Sequence, residues 1–358
     1  MQQTGKEGHW RVDIGSLQGM REPGTPISIL ADDKVLTTAL VDDIRSAYAT
    51  LRDATRTGLP TLADALDPTT FYEGRPEAAL IPPLQLFIAA EENAPAERLT
   101  TLRQLINDLP EVVLAPTLSA AQYCLRVDEN QSWLSKPGNR HLLIRPVPVN
   151  ADYLKTRWRE YLAYVAQWQR ILALENPVPD RFTSFPVEVY LAEVDTAGRE
   201  HPLPKGSDHH RLAYRRGINN APEIELVVRL TNHLERPLYV SLLTMGVDFY
   251  CGTDLLGPPV VLLENQSVAI YPESGQPGHL KISPADYLLS DGWLQDTIWF
   301  KVIVSTHAAP LETAVTDYAL AGLPHPRSMG ASIIQSDNRR RKARYGWATR
   351  TIQIDLAL

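Results

Sequence analysis

The sequence predicts a multidomain α+β chain: a small β-rich unit, a small α/β unit, one long helix and a C-terminal β-sandwich of immunoglobulin-like architecture. Three observations predict it. Short alternating apolar runs broken by Gly and Pro turns crowd both ends of the chain. One helical stripe of Leu, Trp, Tyr and Val occupies the middle. The prolines, 28 in all, fall where the pattern changes. At about 100–200 residues per domain, 358 residues should divide into two or three units.

Residues 1–83 form the first unit. His9-Trp10-Arg11-Val12-Asp13-Ile14 and Thr25-Pro26-Ile27-Ser28-Ile29-Leu30 read as strands, separated by Gly15, Gly19, Pro23 and Gly24. Lys34 to Leu40, Ala47 to Leu51 and Pro76 to Ile81 continue the series, a spacing that suits a small antiparallel barrel. Residues 84–149 form the second unit. Leu84 to Ala89 is a buried-strand run. A helix follows, with Pro95 in its first turn and Leu99, Leu102, Leu105, Ile106 and Leu109 on one face. Pro110 ends it, and Val112-Val113-Leu114 and His141 to Ile144 read as further strands.

Residues 150–176 read as the long helix. Asn150 is a good N-cap, and Leu154, Trp158, Tyr161, Val165, Trp168 and Leu172 recur at spacings of three and four. Asn176-Pro177 closes it, because proline cannot continue the hydrogen-bond ladder. Pro177, Pro179 and Pro186 then make a stiff linker. From residue 184 to 358 the chain reads as strand. Val187 to Leu191, Ile224 to Leu230, Leu238 to Leu243, Ser267 to Tyr271, Thr297 to Ser305 and Thr349 to Leu356 give at least six, joined by Gly-, Pro-, Asn- and Asp-rich loops. The Cys…Trp…Cys pin of antibody domains is absent.

Composition narrows the function. Hydrophobic residues make up 44% and charged residues 22%, the usual globular mix. No window reaches about 18 uninterrupted apolar residues, so no membrane helix is expected. The opening Met1 to Lys6 is polar, without a signal-peptide core, so the expected location is the cytoplasm. A net charge of -7 opposes general nucleic-acid binding, which needs a surplus of Lys and Arg. Neither G-x-x-x-x-G-K-[ST], G-x-G-x-x-G, G-x-S-x-G nor H-E-x-x-H occurs, and the expectation is a chain with no cofactor and no metal.

Few residues carry candidate chemistry. Cys251, before Gly252, could act as a nucleophile with His233 or His307 as base, giving a cysteine hydrolase. Cysteine after a core strand is more often simply buried, and Cys124 has less to recommend it. Asp208-His209-His210 offers metal-ligand chemistry but reads as a solvated loop. A sandwich-type ligand-binding protein is a further alternative, resting on fold analogy alone. One charge run stands out: Arg339-Arg340-Arg341-Lys342-Ala343-Arg344. An exposed basic loop of this kind suits a protease with an acidic primary pocket.

The chain resembles the non-catalytic C-terminal region that follows the protease domain in many bacterial caspase-like proteins. The matching stretches are Trp10-Arg11-Val12-Asp13-Ile14-Gly15 with Gly19, Trp168 with Leu174-Glu175-Asn176-Pro177, Leu230-Thr231-Asn232 with Pro237 to Val240, and Lys301 to Thr306. They run in order over roughly residues 9–356. A caspase-like catalytic domain needs a His-Gly and a cysteine in a glycine-containing motif; no histidine precedes a glycine here, and Cys251 lacks that context. The resemblance therefore implies a non-enzymatic partner of an Arg/Lys-specific caspase-like protease, as inhibitor or substrate, in a bacterial defence or cell-death pathway. Arg339, Arg340, Arg341, Lys342 and Arg344 are then the recognition and cleavage candidates, with Arg341 or Arg344 entering the primary pocket.

Overall fold

A computed structural model describes residues 2–4, 9–12, 20, 22–31, 34–44, 48–54, 60–67, 70, 72–76, 82–175, 182, 184–216, 222–270, 278–284, 292–306, 320–321 and 347–358. The described chain is mostly β-sheet with few helices.

The first sheet contains β1 (Gln2–Thr4), β2 (His9–Val12), β3 (Pro26–Ala31), β4 (Lys34–Ile44), β5 (Ala49–Asp53) and β6 (Glu73–Pro76) in the order β1-β2-β5-β4-β3-β6. All neighbours run antiparallel. Trp10, Val12, Ile27, Ile29, Val41 and Leu51 fill its inner face, and the short α1 (Leu62–Ala65) adds Leu62. The sheet curls strongly. Gly74 of β6 comes so near β2 that a Cβ there would stand 2.9 Å from Val12 Cγ2, an approach that only glycine permits.

The second sheet contains β7 (Leu84–Ala90), β8 (Val112–Leu114), β9 (Tyr123–Val127), β10 (Gln131–Ser135) and β11 (Val147–Pro148), in the order β11-β10-β9-β7-β8. β7 runs parallel to both β8 and β9, and α2 (Ala96–Asn107) makes the β7-to-β8 crossover. The stretch His141 to Ile144, expected as a strand, is irregular. Its place is taken by β9 and β10, whose burial is nearly continuous rather than alternating. Buried on both faces, they lack the period-two signal that marks a half-exposed strand.

α3 spans Leu154–Leu172, shorter than the expected 150–176. Successive backbone turns, Ala151 N–H to Pro148 O at 3.2 Å and Leu154 N–H to Ala151 O at 3.0 Å, precede it, so Asn150 is not its cap. Its buried face is broader than the narrow stripe and adds Leu162, Ala166 and Ile171. The cause is a helix covered from two sides. Trp158 Nε1 donates to Ser132 Oγ of β10 at 2.8 Å. Ten residues on, Trp168 Nε1 donates to the Tyr250 carbonyl of the C-terminal region at 3.0 Å.

Among the described residues that region holds thirteen strands: β12 (Val187–Val194), β13 (Glu200–Pro202), β14 (His209–Ala213), β15 (Arg215–Arg216), β16 (Pro222–Asn232), β17 (Leu238–Gly246), β18 (Tyr250–Gly252), β19 (Val260–Leu262), β20 (Ser267–Ala269), β21 (His279–Ile282), β22 (Gln295–Ser305), β23 (Leu320–Ala321) and β24 (Trp347–Ala357). One sheet runs β13-β12-β16, with β15, β20 and β21 also on β16. The other runs β14-β24-β22-β17-β18-β23, with β19 also on β17. The two sheets share one apolar core, to which β22 gives Phe300, Val302 and Val304. The alternate residues of β22, Trp299 and Ile303, face α3 and join a second core with the α/β unit. This sheet is thus covered on both faces, which explains why Ile298 to Ser305 reads as nearly unbroken apolar sequence.

Candidate functional site

The basic run Arg339, Arg340, Arg341, Lys342 and Arg344 lies outside the described residues, as does His307; what flanks the run is described. β22 and β24 pair antiparallel over eleven residues, from Gln295 opposite Ala357 to Ser305 opposite Trp347. Ser305 at the end of β22 and the fully buried Trp347 at the start of β24 therefore stand opposite each other, and between them in the chain β23 pairs with β18 at the far edge of the same sheet. β24 is held on its other edge by parallel pairing with β14.

The same two strands meet the end of α3. Lys301 is fully buried, and its Nζ donates to the Leu172 carbonyl at 3.0 Å and to Thr351 Oγ1 at 2.9 Å. Thr349 Oγ1 donates to the Leu174 carbonyl at 3.1 Å. The last carbonyls of a helix have no partner within it and carry the negative end of its dipole, so an ammonium and a hydroxyl are well placed there. Trp168, one turn earlier, packs edge-on to Phe249 at 5.5 Å and Trp299 at 5.3 Å. Lys301 and Thr349 were not singled out as joining the end of α3; a lysine inside an apolar strand run, Trp299-Phe300-Lys301-Val302-Ile303, was the available signal.

Cys251 is buried beneath this joint, and burial pushes its thiol up to about 12, against a smaller opposite pull from Lys301. A thiol so placed provides no thiolate at neutral pH. His233 is engaged elsewhere, with Nε2 2.8 Å from Glu188 Oε2 on the outer face of the other sheet. Cys124 is also buried, and burial foremost raises it.

Asp208 lies exposed just before β14, and His209-His210 open the strand rather than continuing a solvated loop. Successive strand residues point to opposite faces, and the three side chains go separate ways. Asp208 Oδ1 accepts from Arg350 Nε at 2.7 Å, His209 Nε2 lies 2.7 Å from Asp355 Oδ2, and His210 is buried. Among the described residues no cluster of three His, Cys, Asp or Glu could hold a metal ion. Among them, too, no helix is long and apolar enough to cross a membrane. Arg157, Arg159 and Arg170 all lie on α3, and Arg157 pairs with Glu160 at 3.1 Å.

No family model matches the chain, and no curated protein matches it.

Proposed function

We propose that the chain is a non-enzymatic partner of an Arg/Lys-specific bacterial caspase-like protease, regulated by cleavage within residues 339–344. One observation carries the reading. Lys301, from one stretch quoted for the resemblance, is buried against the end of α3, beside the Trp168–Leu174 stretch quoted as another. The high Cys251 thiol favours this reading over a cysteine hydrolase. Arginine in the run would pair with an acidic primary pocket, where guanidinium and carboxylate make paired hydrogen bonds. The setting that follows is a bacterial defence or cell-death pathway acting in the cytoplasm.

The finer fold assignment belongs to the same proposal. β12 and β20/β21 flank β16, and β22 lies between β17 and β24. That is the neighbour pattern of strands A, E and B on one sheet and of C, F and G on the other in an immunoglobulin-like sandwich. Lacking the disulfide pin, this one carries apolar side chains between its sheets. The test of function is size-exclusion chromatography of the chain mixed with a purified bacterial caspase-like protease: a shared peak or a discrete cut supports the proposal, and neither one overturns it.

A further inference from the structure

The two sheets of the C-terminal region leave an open cleft of about 350 Å³, counted to its mouth, between β12 with the loop after β13 and the pair β14 and β24. Its apolar wall comes from both sheets. Leu191 of β12 and Ile352 of β24 belong to the core between them, and Val189 and Leu203 pack on that core. The Leu203 N–H donates to the Leu191 carbonyl at 2.9 Å, which pins the loop to β12. Gly206, at φ 80°, then turns the chain toward β14.

Arg350 stands apart in this wall. Ala348, Ile352, Ile354 and Leu356 of β24 turn into the core between the sheets, and strand alternation turns Arg350 the same way. Its side chain is 21% exposed. Nε donates to Asp208 Oδ1 at 2.7 Å, whereas Nη1 and Nη2 have no hydrogen-bond partner among the described residues. The other polar side chains of the cleft are engaged. Tyr190 OH donates to Glu200 at 2.9 Å, Lys205 Nζ to Glu188 at 2.8 Å and Ser207 Oγ to the His209 carbonyl at 2.7 Å. His210 is buried, and its ring bonds the Ser207 backbone. Among the described residues no Asp or Glu lines the cleft.

We propose that this cleft binds a short-chain monocarboxylate, its carboxylate on the two terminal nitrogens of Arg350 and its aliphatic tail against Leu191, Leu203 and Ile352. A guanidinium presents its N–H donors in one plane, the geometry that a carboxylate accepts with both oxygens. The bond from Nε to Asp208 holds that plane in place, so little ordering of the arginine remains for the ligand to supply. The wall selects among anions. Phosphate would bring a larger, strongly hydrated charge and no apolar part to a surface made mostly of Val, Leu, Ile and Pro. A monocarboxylate brings one charge for one guanidinium and apolar surface for the rest.

The experiment is saturation-transfer NMR of the full chain with butanoate and with butanamide, its neutral analogue, at neutral pH. Butanoate should bind in the millimolar range and butanamide about tenfold more weakly. Arg350→Met, which keeps the aliphatic stem, should abolish that preference. Arg211→Gln, at an exposed position of β14, should leave it unchanged. The site is overturned if butanoate fails to bind, binds no better than butanamide, or keeps its preference in Arg350→Met. An equal loss in Arg211→Gln would mean general charge attraction and overturns it too. Should Arg350→Met fail to fold, Leu203→Trp fills the cleft from the loop and should abolish binding; unchanged binding there contradicts the proposal.

Discussion

Lys301 Nζ lies 3.0 Å from the carbonyl oxygen of Leu172, a residue 129 positions earlier in the chain. A strand at the centre of the C-terminal region thereby supplies the cap for a helix that also packs on the α/β unit. Moving an ammonium out of water is costly unless polar groups replace its hydration. The Leu172 carbonyl and Thr351 hydroxyl do so here. Lys301→Ala should cost about 3 kcal/mol, because it leaves a buried carbonyl unsatisfied and a cavity behind. Lys301→Met, which keeps the stem, should cost clearly less. Urea unfolding of the two variants measures both; no loss on Lys301→Met would mean that the ammonium contributes nothing specific.

Ser241 gives the opposite expectation. It is buried on β17, on the sheet face that looks toward α3, and its Oγ has no hydrogen-bond partner among the described residues. A buried hydroxyl without a partner keeps its desolvation cost uncompensated. Ser241→Ala should raise stability by up to about 1 kcal/mol. A loss greater than that in the same unfolding assay would show that the hydroxyl is satisfied in solution.

Asp355 links the edge strand β14 to β24. Burial works to raise its carboxyl, but hydrogen bonds from Gln353, His209 and Thr297 outweigh it and leave the group below the ordinary carboxylate range. A carboxyl lowered in the folded chain adds stability that is present above its unfolded pKa near 4 and lost as pH falls through the folded value. Asp355→Asn should therefore destabilise at pH 7, with the gap to wild type narrowing in acid. A gap that stays constant to pH 3 would contradict the pairing.

Cys251 should resist a thiol reagent at pH 7.5 in the native chain and react fully once it is unfolded, since burial holds it as the thiol. Intact-mass readout after a short exposure distinguishes the two states. Rapid single labelling of the native chain at Cys251 would revive the hydrolase alternative.

Much of this architecture was legible in the sequence, and what was not has physical causes. Val187 to Leu191, Leu238 to Leu243 and Thr349 to Leu356 all fall within strands, because one strong face against a core leaves a periodic or apolar run. The stripe from Leu154 to Leu172 likewise marks a real helix. β15 and β18, of two and three residues, are too short to hold a period and were not seen. β9 and β10 were missed because both faces are buried. The joint was invisible for a different reason: Lys301, Leu172 and Trp168 acquire their meaning only when distant segments meet.

The proposed regulation rests on how the basic run is framed. β24 is paired with β22 along eleven residues and with β14 along five, and Thr351 is tied to Lys301. A cut between Arg339 and Arg344 would leave this strand paired between β22 and β14. The most direct measurement is incubation of the intact chain with a purified Arg/Lys-specific bacterial caspase-like protease, read by denaturing mass spectrometry and native size exclusion in parallel. The account predicts a discrete cut within residues 339–344, with both fragments still co-eluting under native conditions. A chain that stays whole and elutes apart from the protease would contradict it.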